Sequence, residues 1–328
     1  MHSDTNPLAQ TTRLGATGPQ TAAIGLGCMG MSGVYGATDD DESVATIQAA
    51  VDAGVTLIDT GDFYGAGHNE MLVGRALKGA RRQQAILSVK FGGQMGPDMK
   101  FIGFDTSRVA VRASVAYSLK RLGVDVIDIY RPARLDPRVP IEDTIGSLAE
   151  LVQEGFIKHI ALSEMSAETV RRAAAVHPIV DLQIEHGLVT RGAEATIFPT
   201  LRELGISATL YGVYSRGLLT GSTGKADFRA HLPRFVADNS AVVDEVARFA
   251  KARGLTPAQL LLAWSRAKTP GFVPVVGIKT RAQLKDTLDG LATSLSAEDV
   301  TALEVLAAGG VQGTRYDAHQ MAMLDSER

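Results

Sequence analysis

Residues 57–70 read LIDTGDFYGAGHNE, a short apolar run that ends in ionisable groups, with Asp59 and Tyr64 five residues apart. Other apolar runs end the same way. LSVK closes on Lys90, a fourth run passes into YRPARLD, IALSE closes on Ser163 and Glu164, VDLQIE carries Gln183 and Glu185, and ISATLY closes on Tyr211. A lysine and an aspartate buried at neighbouring strand ends must pair, because neither charge is tolerated alone in a low dielectric. A phenol beside that ammonium is expected to have a lowered pKa, since positive charge favours phenolate. Such a phenol can protonate a carbonyl oxygen as hydride reaches the carbon. Singly, each residue has an ordinary alternative: an aspartate cap, a surface lysine, a core tyrosine. Their joint occurrence is the signal.

These groups need a scaffold that gathers strand ends. From residue 41 onward, apolar strand-like runs alternate with amphipathic helical stretches such as DESVATIQAAVDAG and IEDTIGSLAELVQEG. Counting AAIGLG first, eight strand-like runs occur. Apolar strands alternating with helices imply parallel βα units, and eight of them fit a closed (β/α)8 TIM barrel, whose functional groups sit at the carboxyl ends of its strands. An open doubly wound sheet is the rival. TTRLGATGPQTAAIGLG predicts an N-terminal β-hairpin that caps the barrel floor, and SAVVDEVARFAKARG and SAEDVTALEVLAA add extra helices toward the C-terminus. One domain over residues 1–328 is expected, since no linker or low-complexity segment divides the chain.

GLGCMG, Gly25 to Gly30, matches G-x-G-x-x-G. A dinucleotide-binding turn needs a helix to open inside that motif, to carry the pyrophosphate on its N-terminus. Here MSGVYGATDDD follows, and the first convincing helix begins near Asp41. A glycine-rich loop at a barrel mouth fits better.

The net charge of −3, from 33 basic and 36 acidic residues that are interspersed, gives no reason to expect nucleic acid or another polyanion as partner. The single cysteine, Cys28, excludes a disulfide framework, and no His/Asp/Glu spacing suggests a metal site. No apolar run approaches a membrane span and the N-terminus lacks a signal peptide's features, so a cytoplasmic location is expected.

At these residues the chain resembles the aldo-keto reductase family, from about Leu14 to the C-terminus. DTGDFYGAGHNEMLVGRAL, LSVKFG, IALSE and LYGVYSRGLLTG resemble that family's motifs in order and spacing. The resemblance implies a (β/α)8 barrel that binds extended NADPH at its mouth and reversibly reduces small aldehydes or ketones. By the same resemblance, Tyr64 is the general acid, Lys90 lowers its pKa and Asp59 anchors Lys90. Ser163 and Gln183 hold the nicotinamide carboxamide and Tyr211 stacks on the ring. Gly212 to Gly217, with Tyr214 and Arg216, surround the pyrophosphate, and Gly30 and Met31 belong to the cofactor's surroundings. Gly277, Lys279, Arg281, Asp286 and Thr287 meet the adenosine end.

Two departures from the family pattern stand out. YRPARLDP places Ala133 where the family usually has a histidine that hydrogen-bonds the substrate carbonyl. A small residue in this context resembles the pyridoxal reductase (pyridoxine 4-dehydrogenase) branch and implies a roomier pocket. Arg131 and Arg134 flank the gap. They either offer donors there or form structural ion pairs, for example with Asp136, and the structural reading is the simpler. In the adenosine region Gln283 replaces an arginine that grips the 2′-phosphate, leaving Lys279 and Arg281 as the cations that favour NADPH, with NADH not excluded. A second functional class stays open: a cofactor-binding regulatory protein with weak turnover, supported by the missing imidazole. His186 could reach the mouth, although a core role suits it better, and His68 suits a capping or surface role. The tail VQGTRYDAHQMAMLDSER is too polar for a core element and is expected to fold over the mouth, or else to fray or make an oligomer contact.

Overall fold

The structure, a computed structural model, describes residues 8, 10–225 and 227–328. Its centre is a closed barrel of eight parallel strands: β1 (Gly25–Gly27), β2 (Leu57–Gly61), β3 (Ile86–Phe91), β4 (Ile127–Pro132), β5 (Ile157–Ser163), β6 (Ile179–Glu185), β7 (Ser207–Tyr211) and β8 (Val273–Gly277). Each strand pairs with the next in chain order, and β8 pairs with β1 to close the ring. The open-sheet alternative is thereby excluded. The anticipated hairpin is also present: Thr11–Arg13 pairs antiparallel with Gln20–Ala22. After Gly25–Gly27 only a short 3₁₀ turn, Met29–Ser32, follows, so the glycine motif opens no dinucleotide helix.

Helices wrap the barrel: α1 (Asp40–Asp52), α2 (His68–Ala76), α3 (Arg108–Leu122), α4 (Ile141–Gln153), α5 (Ala167–Val176) and α6 (Ile197–Leu204). Local chemistry sets their ends. Asp39 caps α1 by accepting from the Glu42 amide, and Asp40, Asp41 and Glu42 meet the positive end of its dipole. Gly123 ends α3 with φ 66°, a conformation glycine adopts without steric cost. A second group, α7 (Ser240–Lys251), α8 (Pro257–Lys268), α9 (Arg281–Gly290) and α10 (Ala297–Leu306), completes the helical layer. Val246, Leu260, Trp264 and Leu303 pack a separate apolar cluster within that group.

Strand side chains alternate between two faces. One set, including Ile58, Leu87, Val89, Ile160, Leu182 and Leu210, packs outward on helix residues such as Ile47, Val115 and Leu148. The other set fills the barrel. Its floor is apolar, with Leu57, Ile129, Ala161, Val273 and Val275 closed from below by Leu14 of the hairpin turn. Two residues further along the same strands the interior turns polar, and there the candidate site begins.

Candidate active site

Above the apolar floor, side chains from five strands form a closed hydrogen-bonded ring. Asp59 accepts from Ser88 Oγ at 3.0 Å and from Gln183 Nε2 at 2.9 Å. Arg131 donates to Ser88 Oγ at 2.9 Å and to Asp181 at 2.5 Å. Thr209 donates to Asp181 at 2.9 Å and accepts from Gln183 Nε2 at 3.4 Å, which closes the circuit. Lys90 attaches to the ring through its ion pair with Asp59. Two cations face two carboxylates, so the buried layer is neutral, which is the condition for holding four charges away from water. Register explains the arrangement: Asp59 lies opposite Ser88, Lys90 opposite Arg131, and Gln183 opposite Thr209 on neighbouring strands.

Tyr64 sits above this ring. It follows β2 in a tight turn in which Gly65 and Ala66 both have positive φ, 56° and 51°. The turn folds the tyrosine back so that the Lys90 ammonium lies 5.1 Å from the centroid of its ring. Asp59, Tyr64 and Lys90, expected to meet from their spacing alone, do meet. One expectation fails. The Tyr64 phenol is held well above its ordinary pKa, by burial first and by the Asp59 charge second. The ammonium lies over the ring and is neutralised by Asp59, so it does not bring the phenol down in this state. Burial likewise lowers the Lys90 pKa, with Asp59 opposing the shift.

The residues assigned to the nicotinamide line the neighbouring strand ends. Gln183 gives its side-chain amide nitrogen to the ring, while among the described residues no hydrogen bond engages its Oε1. Ser163 Oγ has one long contact, 3.5 Å from Arg134. The Tyr211 hydroxyl donates to Glu164 at 2.8 Å. The loop after β7 has left-handed backbone at Gly212, Ser215, Arg216 and Gly217. For Ser215 and Arg216 this is strain of the kind that persists at ligand clamps. Ser215 Oγ is also buried without a hydrogen-bond partner among the described residues. Together these features fit a loop built to close on a dinucleotide. Tyr214 is wedged between the two helix-facing clusters, and Thr287 is buried on α9.

The adenosine-end residues are less free. Lys279 donates to the Tyr35 carbonyl at 3.0 Å and lies against Gly30, next to the buried Met31. Arg281 pairs with Glu42 at 2.8 Å, and Asp286 accepts from Thr256 and Gln259. Gly277 ends β8.

Several partners differ from those expected. Arg131 is fully buried and pairs with Asp181, whereas Asp136 pairs with Arg138. Arg134 pairs with no carboxylate among the described residues; it donates to the Ala133 carbonyl at 2.6 Å and to Tyr316 at 3.3 Å. His186 is a core residue, stacked on Trp264 at 5.5 Å and bonded to Glu194 at 3.0 Å. His68 opens α2 and bridges Ser32 and Asp40. The tail folds over the mouth. Arg315 is 4% exposed and bridges Glu164 at 2.7 Å and Glu185 at 3.2 Å. Burial alone would raise the Glu164 carboxyl, but Arg315 and Arg134 outweigh it and pull it down to about 2. Arg216 joins Glu185 at 2.7 Å and lies 4.2 Å from the Tyr316 ring centroid. Ser88, Asp181, Thr209, Arg315 and Tyr316 were not singled out from the sequence. The first three carry a readable signal, polar residues at alternate positions of otherwise buried strands; the last two carry none.

Among the described residues no group of His, Cys, Asp and Glu could hold a metal ion, and no helix is long and apolar enough to cross a membrane. The aldo/keto reductase family model matches residues 23–308. A probable aldo-keto reductase of Glycine max is 39% identical over 321 residues, covering 94% of this chain and 92% of its own. The solved glycerol dehydrogenase of Gluconobacter oxydans superposes with a TM-score of 0.82 at 29% identity, covering 96% of this chain and 98% of its own. An aldo-keto reductase of Bacillus halodurans in its holo form gives 0.77 at 25% identity, with 95% and 99% covered. Family model, relative and barrel agree: the chain belongs to the aldo/keto reductase family and is an NAD(P)H-dependent oxidoreductase acting on carbonyl compounds.

Proposed function

We propose that the protein reduces a small aldehyde or ketone to the alcohol with NADPH, and that Tyr64 is the general acid. The observation that carries this reading is the buried Lys90–Asp59 pair beneath the Tyr64 ring. Burial keeps the phenol protonated at neutral pH, so it is ready to donate. After donation a phenolate is left in a low dielectric, and the nearby ammonium then offsets its charge. Asp59 fixes that ammonium in place and keeps the resting site neutral.

The bound nicotinamide supplies the hydride. Ser163 Oγ and Gln183 Oε1 would hold its carboxamide, and Tyr211 would set which face is presented. Arg216 and the strained loop around it would take the pyrophosphate, exchanging Glu185 and the Tyr316 ring for phosphate oxygens. Lys279 and Arg281 are the cations that would favour a 2′-phosphate. Ala133, buried just past the end of β4, leaves room for a ring-bearing substrate such as pyridoxal.

The test is NADPH oxidation with a panel of aldehydes and ketones that includes pyridoxal, in wild type and Tyr64→Phe. Loss of a positioned proton donor costs about 10²- to 10⁴-fold in rate, with NADPH affinity, read by fluorescence titration, unchanged. A Tyr64→Phe enzyme that keeps its rate refutes the assignment. Tight NADPH binding with no turnover on any carbonyl would favour the regulatory alternative.

A further inference from the structure

Among the described residues Arg134, Arg216, Arg234 and Arg315 gather above the barrel, and all but Arg134 lie within ion-pair distance of Glu164 or Glu185. Arg216 is matched by Glu185, and Arg315 by Glu164 and Glu185. Below them Arg131 is matched by Asp181. Arg134 is different. Its hydrogen bonds run only to neutral oxygens: the Ala133 carbonyl at 2.6 Å, Ser163 Oγ at 3.5 Å and Tyr316 Oη at 3.3 Å. No carboxylate lies within ion-pair distance of it among the described residues. The guanidinium is partly exposed, feels the Glu164 charge only from beyond ion-pair distance, and has N–H donors left over for an incoming oxygen.

Its place is specific. Arg134 directly follows Ala133, the small residue just past the end of β4 with no polar side chain to offer. The Ala133 N–H donates to the carbonyl of Phe91 at 2.8 Å, next to Lys90, whose ammonium lies over the Tyr64 ring, so Arg134 and Tyr64 rise from neighbouring strand ends around one space. Within that space Nη2 of Arg134 points at a tail phenol oxygen that also lies 3.4 Å from Tyr211 Oη. A carbonyl oxygen can take over that position with no net loss of hydrogen bonding, since one neutral oxygen acceptor replaces another.

Resting on the reductase reading above, we propose that Arg134 hydrogen-bonds the substrate's carbonyl oxygen opposite Tyr64, displacing the Tyr316 hydroxyl that holds the position in the free protein. Hydride adds to the carbonyl carbon, the C=O π electrons move to oxygen, and oxygen takes the Tyr64 proton; Arg134 keeps all its protons. As oxygen gathers negative charge, the guanidinium's pull grows, so the contact strengthens toward the transition state. A guanidinium stays charged at every working pH. The rate therefore lacks the ionisation that an imidazole donor would introduce.

The experiment measures kcat and KM from pH 6 to 9, NADPH affinity and thermal midpoint for Arg134→Gln, Arg134→Lys and the double variant Ala133→His/Arg134→Gln. Arg134→Gln is expected to lower kcat/KM by about 10²- to 10³-fold, mostly in kcat, with NADPH affinity within threefold. The double variant is expected to regain at least tenfold of this and to acquire an inflection near pH 6.5, the ordinary imidazole value. A kcat/KM for Arg134→Gln within threefold of wild type, or a loss carried by NADPH affinity, overturns the proposal. Should Arg134→Gln not fold, Arg134→Lys decides: it keeps the charge, loses the planar fork, and must fall about tenfold. Tyr64→Phe, run in parallel, separates the two readings, because its activity reports the acid and not the arginine.

Discussion

Asp59→Asn is the sharpest perturbation of the site. In the wild type Asp59 accepts from Lys90, Ser88 and Gln183 and is 4% exposed, while Lys90 is 3% exposed. The amide keeps the shape and removes the charge, stranding an ammonium. Breaking a buried pair from one side costs about 3–5 kcal/mol. With an unfolding entropy near 2.1 cal/mol/K per residue, that is a drop of about 4–7 °C in thermal midpoint for 328 residues. The deficit depends on pH. Burial already lowers the Lys90 pKa and Asp59 opposes the shift, so its loss lowers the pKa further. Between that lowered value and the unfolded value near 10.4, the unfolded chain binds a proton that the folded protein does not. Stability of the variant therefore rises with pH through that window. The gap to wild type is widest at pH 6 and narrows toward pH 10. Urea unfolding at pH 6, 7.5 and 9 reads this directly. The double variant Asp59→Asn/Lys90→Met, which removes both charges, should recover most of the stability and none of the reductase rate. A gap that is the same at pH 6 and 9, or smaller than about 1 kcal/mol, refutes the view that a stranded ammonium governs this layer.

Other expectations follow from neighbouring groups. Burial raises the Asp62 carboxyl to about 7, against an accepted hydrogen bond from the Gly92 amide at 3.2 Å. Its folded pKa exceeds the unfolded one near 4, so its contribution to stability is complete below pH 4 and is lost as pH rises through 7. Asp62→Asn should match wild type at pH 4 and exceed it at pH 8, by at most about 4 kcal/mol; equal stability at both pH values contradicts this. Lys279→Ala should raise KM for NADPH about tenfold, the scale of one charge-assisted hydrogen bond, and leave NADH unaffected. An equal effect on the two cofactors would remove Lys279 from 2′-phosphate recognition.

Much of this architecture was legible because it repeats. An apolar run followed by an amphipathic helix recurs often enough to mark βα units, and in a parallel strand buried on both faces an ionisable residue stands out against its apolar neighbours. That is why Asp59, Lys90 and Tyr64 were visible as candidates before any fold was known. Arg131 shows where such reading stops. Asp136, five residues away, was its obvious partner, yet it pairs with Asp181, fifty residues on, because ring closure places β4 and β6 side chains in one interior layer. Arg315 lies 151 residues from Glu164, and only the folding of the tail across the mouth joins them.

The chain alone therefore determined the number and kind of elements and the identity of the groups at their ends, since both depend on local periodicity and on which residues tolerate burial. The tertiary structure decided which charges neutralise one another, left Arg134 with no carboxylate at ion-pair distance among the described residues, and set the direction of the Tyr64 shift. The physical reason is that desolvation and Coulomb attraction depend on distance and depth in three dimensions. An ammonium moved a few ångströms, or given a carboxylate of its own, changes what it does to a neighbouring phenol, and no spacing along a strand encodes that.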